Sequence, residues 1–376
     1  YYRHSVAWQK LLRKDCFELC RRAETLAGYD FLGDIDTHWH TFGYCVGMMN
    51  EFYELKPGET VENVRRYNSD AVLLCDLPRS RNLLSGEKIT LPILLSHYGE
   101  DIKKATLTLR LSDGARVLLR RTVPLSDLTA GGLYELYRLD VRVPHTDRPL
   151  RLTLTATLAG GNTDTENAWE LYAFPKVKMP TEAALRRAGV IVATDMSAEA
   201  LTAALARGGR VVLLGTGPLP TEKISFQISL AGRTNGHLAT VITDHPLLAD
   251  LPHDGYCAHQ FRAMMNGGAA AVLEGSGVPY APIIEIATTY KNARREALLF
   301  EYRVGAGRLL VCTLNLREDD PCALWLRERM LTYAAGEEFA PKDALSPAAL
   351  SALLGTASVA DEENANAATN KNDITA

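Results

Sequence analysis

Four side chains able to carry protons, metals or hydroxyl groups stand at alternate positions in one short stretch, Asp34-x-Asp36-x-His38-x-His40, with Trp39 among them. In an extended backbone, residues two apart project to the same side, so the spacing predicts both carboxylates and both imidazoles on one face. Two chemistries fit that face. Imidazoles with carboxylates could ligate a metal ion and support a metal-dependent hydrolase. Carboxylates accepting from hydroxyls, beside an indole that stacks on a sugar ring, would equally line a polyol pocket. The bland alternative is a solvated surface loop. No second cluster with metal-ligand spacing occurs, so no metal and no other cofactor is expected.

The remaining candidates are weaker. The seven cysteines (Cys16, Cys20, Cys45, Cys75, Cys257, Cys312, Cys322) are odd in number, scattered and without a CxxC pair, which argues against a disulfide scaffold or a structural zinc site. Gly215-Thr216-Gly217-Pro218 fits no phosphate-loop pattern, and Pro218 removes a backbone donor such a loop needs. Gly275-Ser276-Gly277 is too short for a nucleophile elbow, and Cys257 and Cys312 lack an elbow altogether. No catalytic residue is assigned anywhere in the chain.

The elements that would position the first cluster come next. Residues 5–27 read as an amphipathic helix, with Ala7, Leu11, Leu12, Cys16, Leu19 and Cys20 on the apolar side and Gly28 as stop. A short strand over 29–36 leads into the His/Trp segment, and residues 48–55 read as a short helix. Helix, strand, functional loop and helix make one βα step of an α/β barrel. Because the chain opens inside a helical pattern with no leader-like segment, it reads as a piece of something longer.

From residue 69 to 175 seven apolar runs of period two (70–76, 88–97, 104–112, 115–121, 133–143, 149–158, 166–174) alternate with Gly, Pro, Asp and Asn. Asp113-Gly114 is a hairpin signal, and the set predicts an Ig-like antiparallel β-sandwich with Trp169 in its core. Beyond Pro175, the continuous run Gly189–Thr194, a helix over 197–209 and the run 210–215 form a βαβ unit of a buried parallel sheet. Asp320-Pro321 starts a closing helix, and the Ala/Asn-rich end reads as a disordered tail.

The chain has 376 residues, 41 Lys+Arg against 45 Asp+Glu, and 47% hydrophobic residues. The absent basic excess removes the main driver for nucleic-acid binding. No apolar run approaches the roughly 20 residues of a membrane helix. Oligomeric state is left open.

In order and motifs the chain resembles the C-terminal part of bacterial enzymes of the glycoside hydrolase family 2 / β-galactosidase-like group. The residues that carry the resemblance are Gly28-Tyr29-Asp30-Phe31-Leu32-Gly33-Asp34-Ile35-Asp36, Tyr67–Leu74, His245–Pro252 and Asn292-x-x-Arg295-x-x-x-Leu299-Phe300-Glu301-x-x-Val304-Gly305-x-Gly307. The resemblance implies a multidomain α/β plus all-β chain. Residues 1–66 would be the last βα step of a TIM barrel and 67–176 the sandwich. Residues 177–338 would form a noncatalytic amidotransferase-like (flavodoxin-like) α/β domain, and 339–376 a mostly disordered tail. It further implies hydrolysis of β-linked glycosides by two glutamates that have no counterpart in the matched motifs, so that this chain alone is inactive. Asp36 matches the family's strand-end Asp, making Asp36, Asp34, His38, Trp39 and His40 the candidate contacts to a carbohydrate substrate. The family's usual export implies a periplasmic or extracellular location. A non-catalytic carbohydrate-binding or scaffolding protein is the rival reading.

Overall fold

The computed structural model describes residues 1–31, 33–36, 47–78, 80–114, 116–160, 164–228, 236–275, 277–289 and 294–355. The chain divides into two units: residues 2–176 with 258–260, and residues 177–257 and 261 onward with Tyr1. Residues 2–66 belong to the same unit as the strands that follow them.

The first unit starts with α1 (Tyr2–Arg22) and the single-turn α2 (Val61–Arg65). Eight strands follow: β1 (Ala71–Cys75), β2 (Asn82–Leu84), β3 (Lys88–His97), β4 (Thr106–Ser112), β5 (Val117–Pro124), β6 (Gly132–Arg142), β7 (Leu150–Ala159) and β8 (Thr165–Phe174). They form a three-stranded sheet, β1-β3-β6, and a five-stranded sheet, β2-β8-β7-β4-β5. All pairings are antiparallel except β2 with β8. Strict alternation of buried and half-buried residues along β7 turns Leu152, Leu154 and Leu158 inward, where they join Leu73, Ile93, Leu109 and Trp169 in one core between the two sheets. Each fully buried Leu contributes roughly 1.5–3 kcal/mol.

The second unit contains α3 (Glu182–Arg187), β9 (Val190–Ala193), α4 (Ala198–Ala206), β10 (Arg210–Leu214), β11 (Thr221–Lys223), β12 (Ala239–Ile242), α5 (Arg262–Met265), β13 (Ala269–Val272), β14 (Ile284–Ala287), β15 (Glu296–Val304), β16 (Gly307–Cys312) and α6 (Pro321–Ala335). Its eight-stranded sheet runs β11-β13-β15-β16-β10-β9, with β14 pairing both β15 and β12. Asp320 caps α6 by accepting from the Ala323 N–H at 3.0 Å, and Pro321 fills the first turn.

The structure corrects the expected fold class at several points. The protein is mostly β-sheet, and among the described residues there is neither a remnant of a TIM barrel nor a flavodoxin-like domain. Over 29–36 the described backbone makes only the isolated bridge Ile35↔Met49, and Gly33 at φ +87° interrupts any strand. The expected helix at 48–55 is a tight turn instead. The Asn50 side chain accepts from the Phe52 and Glu54 N–H groups, and this local bonding competes with the helix.

Among the described strands of the second unit, β9–β10 and β10–β16 are the parallel pairs. The two-residue link Gly305-Ala306 between β15 and β16, with Val304 opposite Gly307, forces an antiparallel pair, since a parallel one needs a long crossover. The run expected to be buried, β9, is an edge strand with Ile191 and Val192 each 37% exposed. The disorder expected from residue 339 does not hold for residues 339–355. Phe339, Leu345, Leu350 and Leu353 are buried, and the Leu345 N–H donates to the Arg303 carbonyl at 2.8 Å. Residues 356–376 lie outside the described residues.

Candidate functional site

The stems on either side of residues 37–46 are the best-defined part of the candidate site. Backbone bonds tie them together: Asp36 N–H to the Met49 carbonyl and Met49 N–H to the Asp34 carbonyl, both at 3.0 Å. Asp36 Oδ1 then accepts from the Gly47 N–H at 2.9 Å and from Lys56 Nζ at 2.8 Å. The Lys56 and Asp36 side chains are only 7% and 12% exposed, so this pair is shielded from solvent. Gly47 is required by close approach rather than by a turn: a Cβ there would lie 2.6 Å from the Asp36 nitrogen.

A second ion pair fastens the same stem to α1. Arg13 Nη1 lies 2.6 Å from Glu59 Oε2, with both side chains at 5% exposure or less, and Arg13 Nη2 donates to the Gly47 carbonyl at 3.3 Å. Glu59 N–H in turn donates to the Lys56 carbonyl. Removing one partner of such a pair costs about 3–5 kcal/mol, because the other charge stays buried and unpaired.

Helix α1 is held to the sheets by a further polar network. Glu18, 4% exposed, accepts from Trp169 Nε1 at 2.9 Å and from Asn167 Nδ2 at 2.8 Å, and pairs with Lys14 one turn earlier. Lys14 also donates to Asn167 Oδ1 at 2.8 Å and sits over the Trp169 ring. Burial pulls the Lys14 ammonium below its usual range, opposed by Glu18. The buried face of α1 is therefore Val6, Trp8, Arg13, Phe17 and Glu18, not the stripe through Leu11, Cys16 and Leu19. Leu19 is 62% exposed because the charged partners set the helix's rotation.

The predicted site residues divide accordingly. Asp36 is buried and committed to Lys56 and Gly47, whereas Asp34 is exposed, so the two carboxylates do not share a face. His38, Trp39 and His40 lie outside the described residues. An Asp36 carboxylate neutralised by an ammonium is a poor metal ligand, and among the described residues no group of three or more His, Cys, Asp or Glu is placed to hold a metal. Sequence reasoning missed Lys56, Arg13 and Glu59. Their signal was weak: charges in an otherwise half-buried segment, with partners 20 and 46 residues apart.

Among the described residues of the second unit, the cysteines and histidines offer no activated nucleophile. Burial pushes the Cys257 and Cys312 thiols up to about 12, which leaves them protonated near neutrality. His245 and His253 spend Nδ1 accepting from the Leu247 and Gly255 N–H groups. Buried His237 is pushed down to about 4 by desolvation, and its Nδ1 lies 3.0 Å from the Ser225 carbonyl. Among the described residues no helix is long and apolar enough to cross a membrane.

Comparison with known proteins adds little to this geometry. Residues 87–175 match a family described as a domain of unknown function (DUF8488), and residues 191–355 match another (DUF8487). Neither spans half of the chain. No curated protein matches it. Among solved structures, the CARDB domain of a Pyrococcus furiosus protein in complex with di-metal ions is similar at 12% identity. That match covers 28% of this chain and 87% of the other, with a TM-score of 0.22.

Proposed function

We propose that this chain is a non-catalytic region of a hydrolase of β-linked glycosides, and that His38, Trp39 and His40 contact the sugar. The observation that supports this reading best is the double clamp on the stems beside them, Asp36–Lys56 and Arg13–Glu59. Buried ion pairs of this kind contribute little net stability but hold one geometry, here that of the described residues Asp36 and Gly47 beside the predicted contacts. His38, Trp39 and His40 supply what a sugar needs, namely ring-nitrogen hydrogen bonds and an indole face. The family resemblance assigns bond cleavage to two glutamates outside the matched motifs, and the buried thiols and engaged histidines of the second unit offer no substitute.

The test has two arms. Incubation with aryl-β-glycosides should give no release of the aryl group by this chain. Titration calorimetry with β-linked oligosaccharides should show binding that Trp39→Ala weakens at least tenfold, about 1.4 kcal/mol. Turnover by the chain itself would overturn the non-catalytic assignment, and absence of sugar binding would remove the rest.

A further inference from the structure

On the five-stranded sheet, the alternation that buries Leu107, Leu109 and Leu111 of β4 turns Thr108 and Arg110 to the outer face. The register sets Arg120 of β5 directly opposite Arg110 on one side, and Thr155 of β7 opposite it on the other. Thr122 and Thr157 flank Thr108 in the same way. Both arginines are exposed, and among the described residues neither guanidinium has a carboxylate partner. Like charges directly opposite across a strand pair are destabilising, so this arrangement calls for a counter-charge.

Edge protection accounts for only half of the pair. Charged side chains on an edge strand block pairing with another chain, and β5 is the edge, but Arg110 sits on β4, between β5 and β7. The surrounding charge does not neutralise it either. Residues 104–124 hold five Lys and Arg against one Asp, in a chain of net charge -4, and that Asp113 is taken by Arg116 at 2.8 Å. The carboxylates on the same face of β8 are also engaged, Glu166 with Arg66 at 2.9 Å and Glu170 with the Tyr172 hydroxyl at 2.8 Å. A planar guanidinium fork matches a carboxylate with two parallel bonds, and threonine hydroxyls both donate to and accept from sugar hydroxyls. The outward positions named on β4, β5 and β7 carry no aromatic ring on which a base could stack and no apolar wedge for a lipid surface. Charge and hydroxyls together therefore select an acidic glycan over a nucleic acid or a membrane.

We propose that this sheet face binds an acidic polysaccharide, a uronate carboxylate bridging Arg110 and Arg120 and the adjoining sugar hydroxyls meeting Thr108, Thr122, Thr155 and Thr157. The surface is separate from residues 34–59 and does not depend on the reading proposed for them.

The test is titration calorimetry of the full chain with oligogalacturonate, its methyl ester and dextran sulfate. Oligogalacturonate should bind at least tenfold more tightly than either of the other two, and more weakly as salt rises. Arg110→Gln and Arg120→Gln are exposed substitutions that remove a repulsion. Each should melt no lower than the parent while weakening oligogalacturonate at least tenfold. Thr157→Val should weaken it severalfold, and Trp39→Ala should leave it unchanged. The methyl ester binding as tightly as oligogalacturonate would overturn the charge argument, and dextran sulfate doing so would overturn the uronate. Affinity unaltered in both arginine variants, or lost in Trp39→Ala, would overturn the site, as would no binding of any of the three. A lower melting temperature in both arginine variants would make the pair structural and overturn the need for a counter-charge.

Discussion

Replacing Glu18 by Leu isolates what the polar network under α1 does. The substitution takes the acceptor from Trp169 Nε1 and the counter-charge from Lys14, while Asn167 keeps its bond to the Leu73 carbonyl at 2.8 Å and still accepts from Lys14. An orphaned indole N–H costs about 1–3 kcal/mol, and an uncompensated buried ammonium more. The Lys14 side chain is 25% exposed, so water relieves part of that charge and the total falls at the lower end of the range for broken buried pairs, about 3 kcal/mol. For a unit of this size that is a drop in melting temperature of roughly 6–12 °C. The double variant Lys14→Met with Glu18→Leu removes both charges and should recover about 1–2 kcal/mol of the loss. Urea unfolding followed by near-ultraviolet circular dichroism reads all three proteins. A single variant within 1 kcal/mol of the parent, or a double variant less stable than the single, would refute the view that the pair and its hydrogen-bond partners act as one unit.

Other outcomes follow from the same structure. Gly47→Ala places a methyl group against the Asp36 backbone and should cost about 1–3 kcal/mol, read by thermal unfolding. Native alkylation by iodoacetamide should label exposed Cys16 well before Cys75, Cys257, Cys312 or Cys322, as read by peptide mass. His237 has a folded pKa of about 4 against 6.5 unfolded, so the unfolded state binds the extra proton. Its contribution is present above pH 6.5 and is lost as pH falls toward 4, up to about 3 kcal/mol, and His237→Asn should flatten the urea midpoint between pH 7 and 4.5. Tyr53 holds φ at +65°, so Tyr53→Asn should raise stability by up to about 1 kcal/mol.

What the sequence reveals, and what it conceals, depends on the range of the interaction. The runs in 70–174 carry their own alternation, and β7 and β8 bury the residues that alternation selects. Asp113-Gly114 likewise announces the β4–β5 hairpin, with Asp113 N–H donating to the Arg116 carbonyl. Strand direction in the second unit depended on a two-residue link at Gly305-Ala306, a local signal that an apolar run such as 296–304 outweighs by eye. Rotation of α1 was hidden because buried Arg13 and Glu18 count as polar in any periodicity, although their partners make them interior. Asp36 was visible as a chemically capable residue. That its capacity is spent on Lys56 is a tertiary fact, and no spacing in the sequence encodes it.

The central proposal is that a sugar binds at His38, Trp39 and His40 and that this binding needs the Asp36–Lys56 pair. Calorimetric titration of a β-linked oligosaccharide into the parent chain and into Lys56→Met tests it most directly. The account predicts at least a tenfold weaker Kd for the variant, with α1 and the sheets still folded by circular dichroism. Equal affinities in the two proteins would contradict it.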